Sequence, residues 1–254
     1  MTTKINSKKN LRFYPGKHVY YLGKQKLSGV TTLLKKYFKP FDSKGLAKKI
    51  AGGFKYRNAK KTVVTDLEKQ KATQRYWLND WKEAAEHGTR VHNAIESGII
   101  NKLRLDFANV DSGKDSNKYT QGMIWLKENI KETDVIKPEL RIFDEELGLA
   151  GSLDCPIFHD DNSLSIADWK TNKSIDATNK GDRSLKALAP FQEFNDCSLI
   201  KYILQLCIYA FMMERKGYTI RDLKIVHLME DKHKTYIVDY NLFKPYLELM
   251  FDEI

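Results

Sequence analysis

Three residues near the middle of the chain could do chemistry together: Asp154, Asp168 and Lys170. The stretch 139–170 predicts three short strands, over 139–144, 149–158 and 164–170. Glu145, Glu146 and Gly148 supply the first turn. His159, Asp160, Asp161 and Asn162 supply the second, a polar turn of the kind that joins antiparallel strands. Side chains alternate along a strand, so Leu164, Ile166 and Asp168 share a face, and Lys170 continues it. Two carboxylates at close range repel unless a cation lies between them. Hard oxygen donors with open positions suit Mg²⁺ or Mn²⁺. A lysine beside such a metal can hold a water, or help deprotonate it, for attack on a phosphodiester. Taken alone, Asp168 and Lys170 would be an ordinary same-face ion pair.

The elements that must position these residues are helices and further strands. A hairpin is predicted over 11–23. Ser28 or Thr31 then caps a helix whose free N–H groups either bind phosphate or are merely capped. Asp42 and Ser43 cap a second helix with Leu46, Ala47, Ile50 and Phe54 inside and Lys44, Lys48, Lys49 and Lys55 outside. Gly52, Gly53 and the basic run to Lys61 read as a mobile connection. There Phe54, Tyr56 and Tyr37 with nearby lysines could stack on single-stranded nucleic acid. Thr65 opens one long helical pattern through Leu67, Trp77, Trp81, Ala84, Ala85, Gly88, Val91, Ala94 and Ile95, ending at Gly98. His92 and Glu96 are four apart and share a face. Residues 101–117 read as a loop and 119–130 as a helix. Residues 172–196 read as a loop or lid with a short helix over 184–188. An apolar helix over 198–216 carries Gln205 and Tyr209 on one face. An antiparallel pair, 223–230 and 235–240, and a helix over 242–251 close the chain.

Charge is segregated. Residues 1–61 hold 17 Lys and Arg against one acid, Asp42, while the rest hold 26 against 32, which returns the overall +10 of the 254-residue chain. A basic region beside an acidic one suits a protein that grips a phosphate backbone and holds metal. Hydrophobic residues make up 42% and charged residues 30%, enough apolar material for one full core. No stretch reaches the ~20 apolar residues of a membrane span. The start lacks the apolar segment of a secretory signal and uses lysine where a mitochondrial leader uses arginine, which points to the cytoplasm. Cys155, Cys197 and Cys207 are few and oddly spaced, as in a reducing compartment without disulfides.

The run Gly151-Ser152-Leu153-Asp154 followed by Ile166-Ala167-Asp168-Trp169-Lys170-Thr171 resembles the active-site signature of the PD-(D/E)XK nucleases. The similarity is to the branch of RecB and the mitochondrial genome-maintenance exonuclease. His87-Gly88-Thr89-Arg90-Val91-His92 is similar to the G-T-x-x-H element of that branch, and Gln205 to Tyr209 to its Q-x-x-x-Y element. The elements occur in the branch's order and span roughly residues 28–240.

The resemblance implies an α/β fold, with a restriction-endonuclease-like αβββαβ core in which helices flank a central mixed sheet. The whole chain, 1–254, would be one domain. Within it, 1–135 would form a basic, mostly helical DNA-gripping lobe and 136–254 the catalytic sheet core. It implies a Mg²⁺-dependent DNA exonuclease, with Mn²⁺ able to substitute, acting on single strands or DNA ends in replication, recombination or repair. Asp154, Asp168 and the Trp169 carbonyl would bind metal, with His92 and Glu139 as further ligands; Glu145 or Glu146 could stand in for Glu139. Lys170 would handle the water, Gln205 would hold that water or a phosphate, and Tyr209 would either bond a phosphate or pack in the core. Thr31, Lys35, Lys36, Lys48, Lys49 and Arg90 would touch DNA. Some relatives carry an iron–sulfur cluster on four cysteines, which three cysteines cannot supply. Replication or recombination proteins would be partners, in the host cytoplasm if the chain is virus-encoded. Two other readings stand beside this one: a structure-specific endonuclease of the same superfamily, and a non-catalytic nucleic-acid-binding protein.

Overall fold

The computed structural model describes residues 11–14, 16, 19–101 and 114–252. Most of the expected loop over 101–117 lies outside the described residues. The chain is mixed α/β, built on two five-stranded mixed sheets rather than the single central sheet expected.

The first sheet begins with β1 (Leu11–Tyr14), β2 (Val19–Leu22) and β3 (Gln25–Gly29), paired antiparallel in turn. Gly23 makes the tight β2–β3 turn with φ at 61°, a conformation that costs glycine little. β3 then lies parallel to β6 (Leu149–Leu153), and β6 pairs antiparallel with β5 (Leu140–Asp144). The N-terminal strands are therefore woven into the sheet that leads to the candidate site.

The second sheet holds β4 (Val135–Ile136), β7 (Cys155–Phe158), β8 (Ser163–Lys170), β9 (Thr219–Leu228) and β10 (His233–Val238), in the order β10-β9-β8-β7-β4. β8 and β9 run parallel, and the other pairs are antiparallel. The expected strand over 149–158 is thus two strands, broken at Asp154, and the break passes the chain from one sheet to the other.

Both faces of the second sheet are covered, which explains why β8 reads as nearly continuous apolar residues. On one side lie α6 (Ser198–Glu214), α7 (Tyr240–Asp252) and the short α1 (Val30–Leu34), packed on Leu164, Ile166, Leu223 and Ile225. On the other lie α4 (Gln74–Ile100) and α5 (Lys114–Asn129). They bring Val91, Ile95, Met123, Trp125 and Leu126 onto Cys155, Ile157, Ala167 and Trp169. Alternation along β8 therefore feeds two separate cores.

Helix starts follow their caps. Asp42 accepts from the Gly45 N–H and opens α2 (Ser43–Asn58); Thr65 and Glu68 form a capping box at α3 (Asp66–Lys71). Four expectations change. α2 runs straight through Gly52 and Gly53, so no mobile connection begins there. The long pattern from Thr65 is two helices, because Thr73 caps a second start and α4 continues past Gly98 to Ile100. α1 starts at Gly29 with no side-chain cap from Ser28 or Thr31. Residues 184–188 form turns and a bridge to Asn195, not a helix. No helix among the described residues is long and apolar enough to cross a membrane.

Gly151 is required by packing, since a Cβ there would run into the ring of Tyr209 on α6. Gly151→Ala is expected to destabilise the fold by about 1–3 kcal/mol through overpacking. Urea denaturation would show this as a lower midpoint with an unchanged slope.

Candidate metal centre and cleft

The break at Asp154 opens the sheet edge, and the aspartate side chain closes it again. Its Oδ2 accepts the Trp169 N–H at 3.0 Å, standing in for a strand carbonyl. Three donors gather here: His92 from α4, Glu139 just before β5, and Asp154. Their ligand atoms all lie within 4.8 Å of one another. His92 Nδ1 is 3.3 Å from Asp154 Oδ2, and its ring also bonds the Trp169 main chain. Ser152 donates to Glu139 at 3.0 Å. Glu139 holds φ at 50°, an unusual conformation for a non-glycine residue and one that concentrates at functional sites.

Asp168, expected as a second metal ligand, lies beside the cluster on β8. Its carboxylate is ion-paired with Lys170, and it is not one of the three gathered donors. It remains close enough to raise the pKa of Asp154. Lys170 is held from below as well: the ring of Tyr202 lies 4.6 Å from Nζ, and the Tyr202 hydroxyl donates to Asn172 at 3.0 Å.

The electrostatics describe a site short of positive charge. Burial, then Asp168, pushes the Asp154 carboxyl up to about 8. Burial and Asp154 likewise raise Glu139. Burial lowers the pKa of His92, which favours the neutral ring with a free lone pair. Burial also works against charge on Lys170, but the Asp168 and Asp154 carboxylates outweigh it and keep its pKa above the ordinary lysine value. Two carboxyls with raised pKa beside a neutral imidazole make a donor set that fits a divalent cation. Oxygen donors suit Mg²⁺, and the imidazole adds to the fit for Mn²⁺.

The cluster opens into a cleft of about 1890 Å³, larger than the ~300–1,000 Å³ of ordinary small-ligand pockets. His92, Glu139, Asp154, Trp169 and Lys170 line it, and so does Arg90. Thr31, Lys35, Lys36, Lys48 and Lys49 do not. Lys35, Lys36, Lys48 and Lys49 are exposed, outside the lining of the cleft. Gln205 donates to the Tyr209 hydroxyl at 3.3 Å, and Tyr209 is buried against Gly151; neither lines the cleft. Of the aromatics expected to stack, Tyr37 packs edge-on against Phe191, and Phe54 lies between Trp77 and Arg57.

Three positioning residues, Tyr202, Lys118 and His227, went unnoticed in the sequence. Tyr202 lies one turn before Gln205 on the same face of α6, so the spacing could have shown it. Lys118 is 8% exposed and donates to the Thr171 carbonyl at 2.8 Å, fixing the strand exit beside Lys170. Its signal is a lysine on the face of α5 that also carries Gly122 and Trp125. His227 holds the next carbonyl, that of Asn172, at 2.6 Å. The three cysteines are buried and free.

Comparison with protein-family models finds no match, and comparison with curated proteins finds none either. Among solved structures, one described as "Crystal structure of SSO0001" is similar at 15% identity. The alignment covers 90% of this chain and 76% of that one, with a TM-score of 0.30. A likeness that slight carries no argument about fold or function.

The raised Asp154 pKa predicts a pH effect. Between about pH 4 and about 8 the folded chain keeps a proton that the unfolded chain has lost. Stability from this group is therefore full at low pH and falls as pH rises through that window. Thermal melts of wild type and Asp154→Asn should show the wild type losing ground to the variant from pH 4 to 8. Mn²⁺ at pH 8 should raise the wild-type midpoint and leave that of the variant nearly unmoved.

Proposed function

We propose that this chain is a Mg²⁺- or Mn²⁺-dependent deoxyribonuclease, an exonuclease acting on single strands or free ends. The observation that carries the reading is the meeting of Asp154, Glu139 and His92 with Lys170 on the wall of one large cleft, Asp168 lying buried behind Lys170 as its ion-pair partner. The order α5, β5, β6–β7, β8, α6, β9 supports a restriction-endonuclease-like αβββαβ core. The resemblance of Gly151–Asp154 and Asp168–Thr171 to the PD-(D/E)XK signature supports it from the sequence side.

His92, Glu139 and Asp154 would hold the cation, with the Trp169 main chain at their edge. When bound, it would lower the pKa of a coordinated water and neutralise charge on a phosphoryl oxygen. Lys170, kept charged by Asp168 and steadied by Tyr202, is suited to orienting water and countering developing negative charge. Lys118 and His227 fix the strand exit that sets the direction of Lys170. The basic first quarter would grip the backbone, with Arg90 nearest the chemistry. Replication or recombination proteins would be natural partners.

The test is cleavage of end-labelled linear single-stranded DNA and of a closed single-stranded circle, with Mg²⁺ or Mn²⁺. Wild type is expected to shorten the linear strand from an end and spare the circle. Asp168→Ala should lose activity by roughly 10²–10³-fold, as for removal of one preorganised charge. A cut circle would make the protein an endonuclease. Binding of both DNAs without cleavage would make it a binding protein.

A further inference from the structure

The N-terminal half of α4 carries an apolar stripe that the protein leaves uncovered. Trp77, Trp81, Ala84, Ala85 and Gly88 recur at helical spacing, and further along the same helix Val91 and Ile95 are wholly buried. Yet Ala84 and Ala85 are exposed, the two tryptophans are half-buried, and all five residues line the cleft. Phe41 adds to the same wall. It is 69% exposed and meets Trp81 edge-on, with ring centroids 5.5 Å apart. A phenylalanine that exposed fills no core.

Three further observations say what would cover this wall. The stripe is continuous with the candidate site. At its end a Cβ on Gly88 would stand 2.9 Å from Thr171 Oγ1, next to Lys170. Charge lies alongside: α2, packed on α4, has five Lys and Arg and no acid. Across the cleft, Lys173 lies 3.6 Å from Asp80, which sits between the two tryptophans on α4. Such an exposed pair is weak, so a phosphate can take Asp80's place. Finally, the Trp77 indole N–H already donates to the Lys71 carbonyl at 2.9 Å and its ring already meets Phe54 and Tyr76, so Trp77 braces the wall beside Phe41 and Trp81 and has no donor left to read a base edge.

We propose that Phe41, Trp77, Trp81 and the small residues down to Gly88 form a base-stacking platform for single-stranded nucleic acid. The platform feeds the strand toward Lys170. This rests on the nuclease reading of the same cleft and adds which surface receives the bases. Duplex bases have no free faces to offer, so the platform selects single strands. Every base has a π face, so it accepts any sequence. From Trp77 to Gly88 the helix rises about 16 Å, the span of about five stacked nucleotides at 3.4 Å each.

The test is binding in EDTA, where no cleavage occurs, read by fluorescence anisotropy on the full chain. The probes are labelled dT₈, rU₈ and a blunt hairpin duplex; the variants are Phe41→Ala, Trp81→Ala and Trp81→Phe. Each alanine variant should weaken single-strand binding roughly 5- to 150-fold, Trp81→Phe should keep most of it, and hairpin binding should stay within about twofold. Loss on dT₈, on rU₈ or on both supports the platform and assigns the nucleic acid. Wild-type affinity in Phe41→Ala and Trp81→Ala, with unchanged melting, overturns it. Equal weakening on the hairpin does the same. A chain that binds dT₈ through these residues and cuts nothing keeps the platform and loses the nuclease. A chain that cuts, with binding indifferent to these residues, does the reverse.

Discussion

One hydrogen bond organises the region around the candidate site: the Trp169 N–H to the Asp154 carboxylate, at 3.0 Å. At Asp154 the chain leaves one sheet and enters the other, so no strand carbonyl is in place to accept that N–H. A buried, unpaired amide would be costly. The side chain supplies the acceptor, which ties the charge of Asp154 to the integrity of the sheet. It also draws the carboxylate into a gap where burial makes ionisation unfavourable and where His92 and Glu139 arrive from other elements. Trp169, pinned at its backbone, is also wedged edge-on against Trp125, so Lys170 leaves the strand from a fixed base.

Much of this was legible in residue types. Period-2 alternation found β5 and β8, and the polar turn at 159–162 marked the hairpin that joins β7 to β8. Asp42 and Thr65 announced their helices by capping chemistry. The break at Asp154 was not legible, because Leu153 and Cys155 are both apolar and the run looks like one strand. Only the arrangement of two sheets reveals that its halves have different neighbours. Gly52 and Gly53 suggested a hinge on intrinsic propensity, but packing of Ala47 and Ala51 carries the helix through. Periodicity likewise marked the stripe on α4 as apolar, since it reports which face avoids water and is silent on what covers that face.

A second cluster shows why geometry needs access. His159 Nδ1 lies 2.7 Å from Asp134, and Nε2 lies 2.8 Å from the Ser165 hydroxyl. That is the order of an acid–imidazole–hydroxyl relay. Ser165, however, is fully buried in the middle of the second sheet, where no substrate could meet it. Its surroundings make it a satisfied polar network that clamps β8 to the turn before it and to the β4 edge. The Asp154 cluster differs by opening onto a cleft.

The parallel pairing of β3 with β6 places Ser28 beside Leu149, partners separated by nearly half the chain. During synthesis the N-terminal hairpin emerges early, yet one edge stays bare until residues 149–153 have left the ribosome. Closing so long a loop is entropically costly and slow. An unpaired strand edge is also a template for the wrong partner. The lysines on that stretch, Lys24 and Lys26, are the kind of charge that keeps a waiting edge from pairing with a neighbour. The junction that builds the candidate site thus also makes the chain's first strands among the last to be secured.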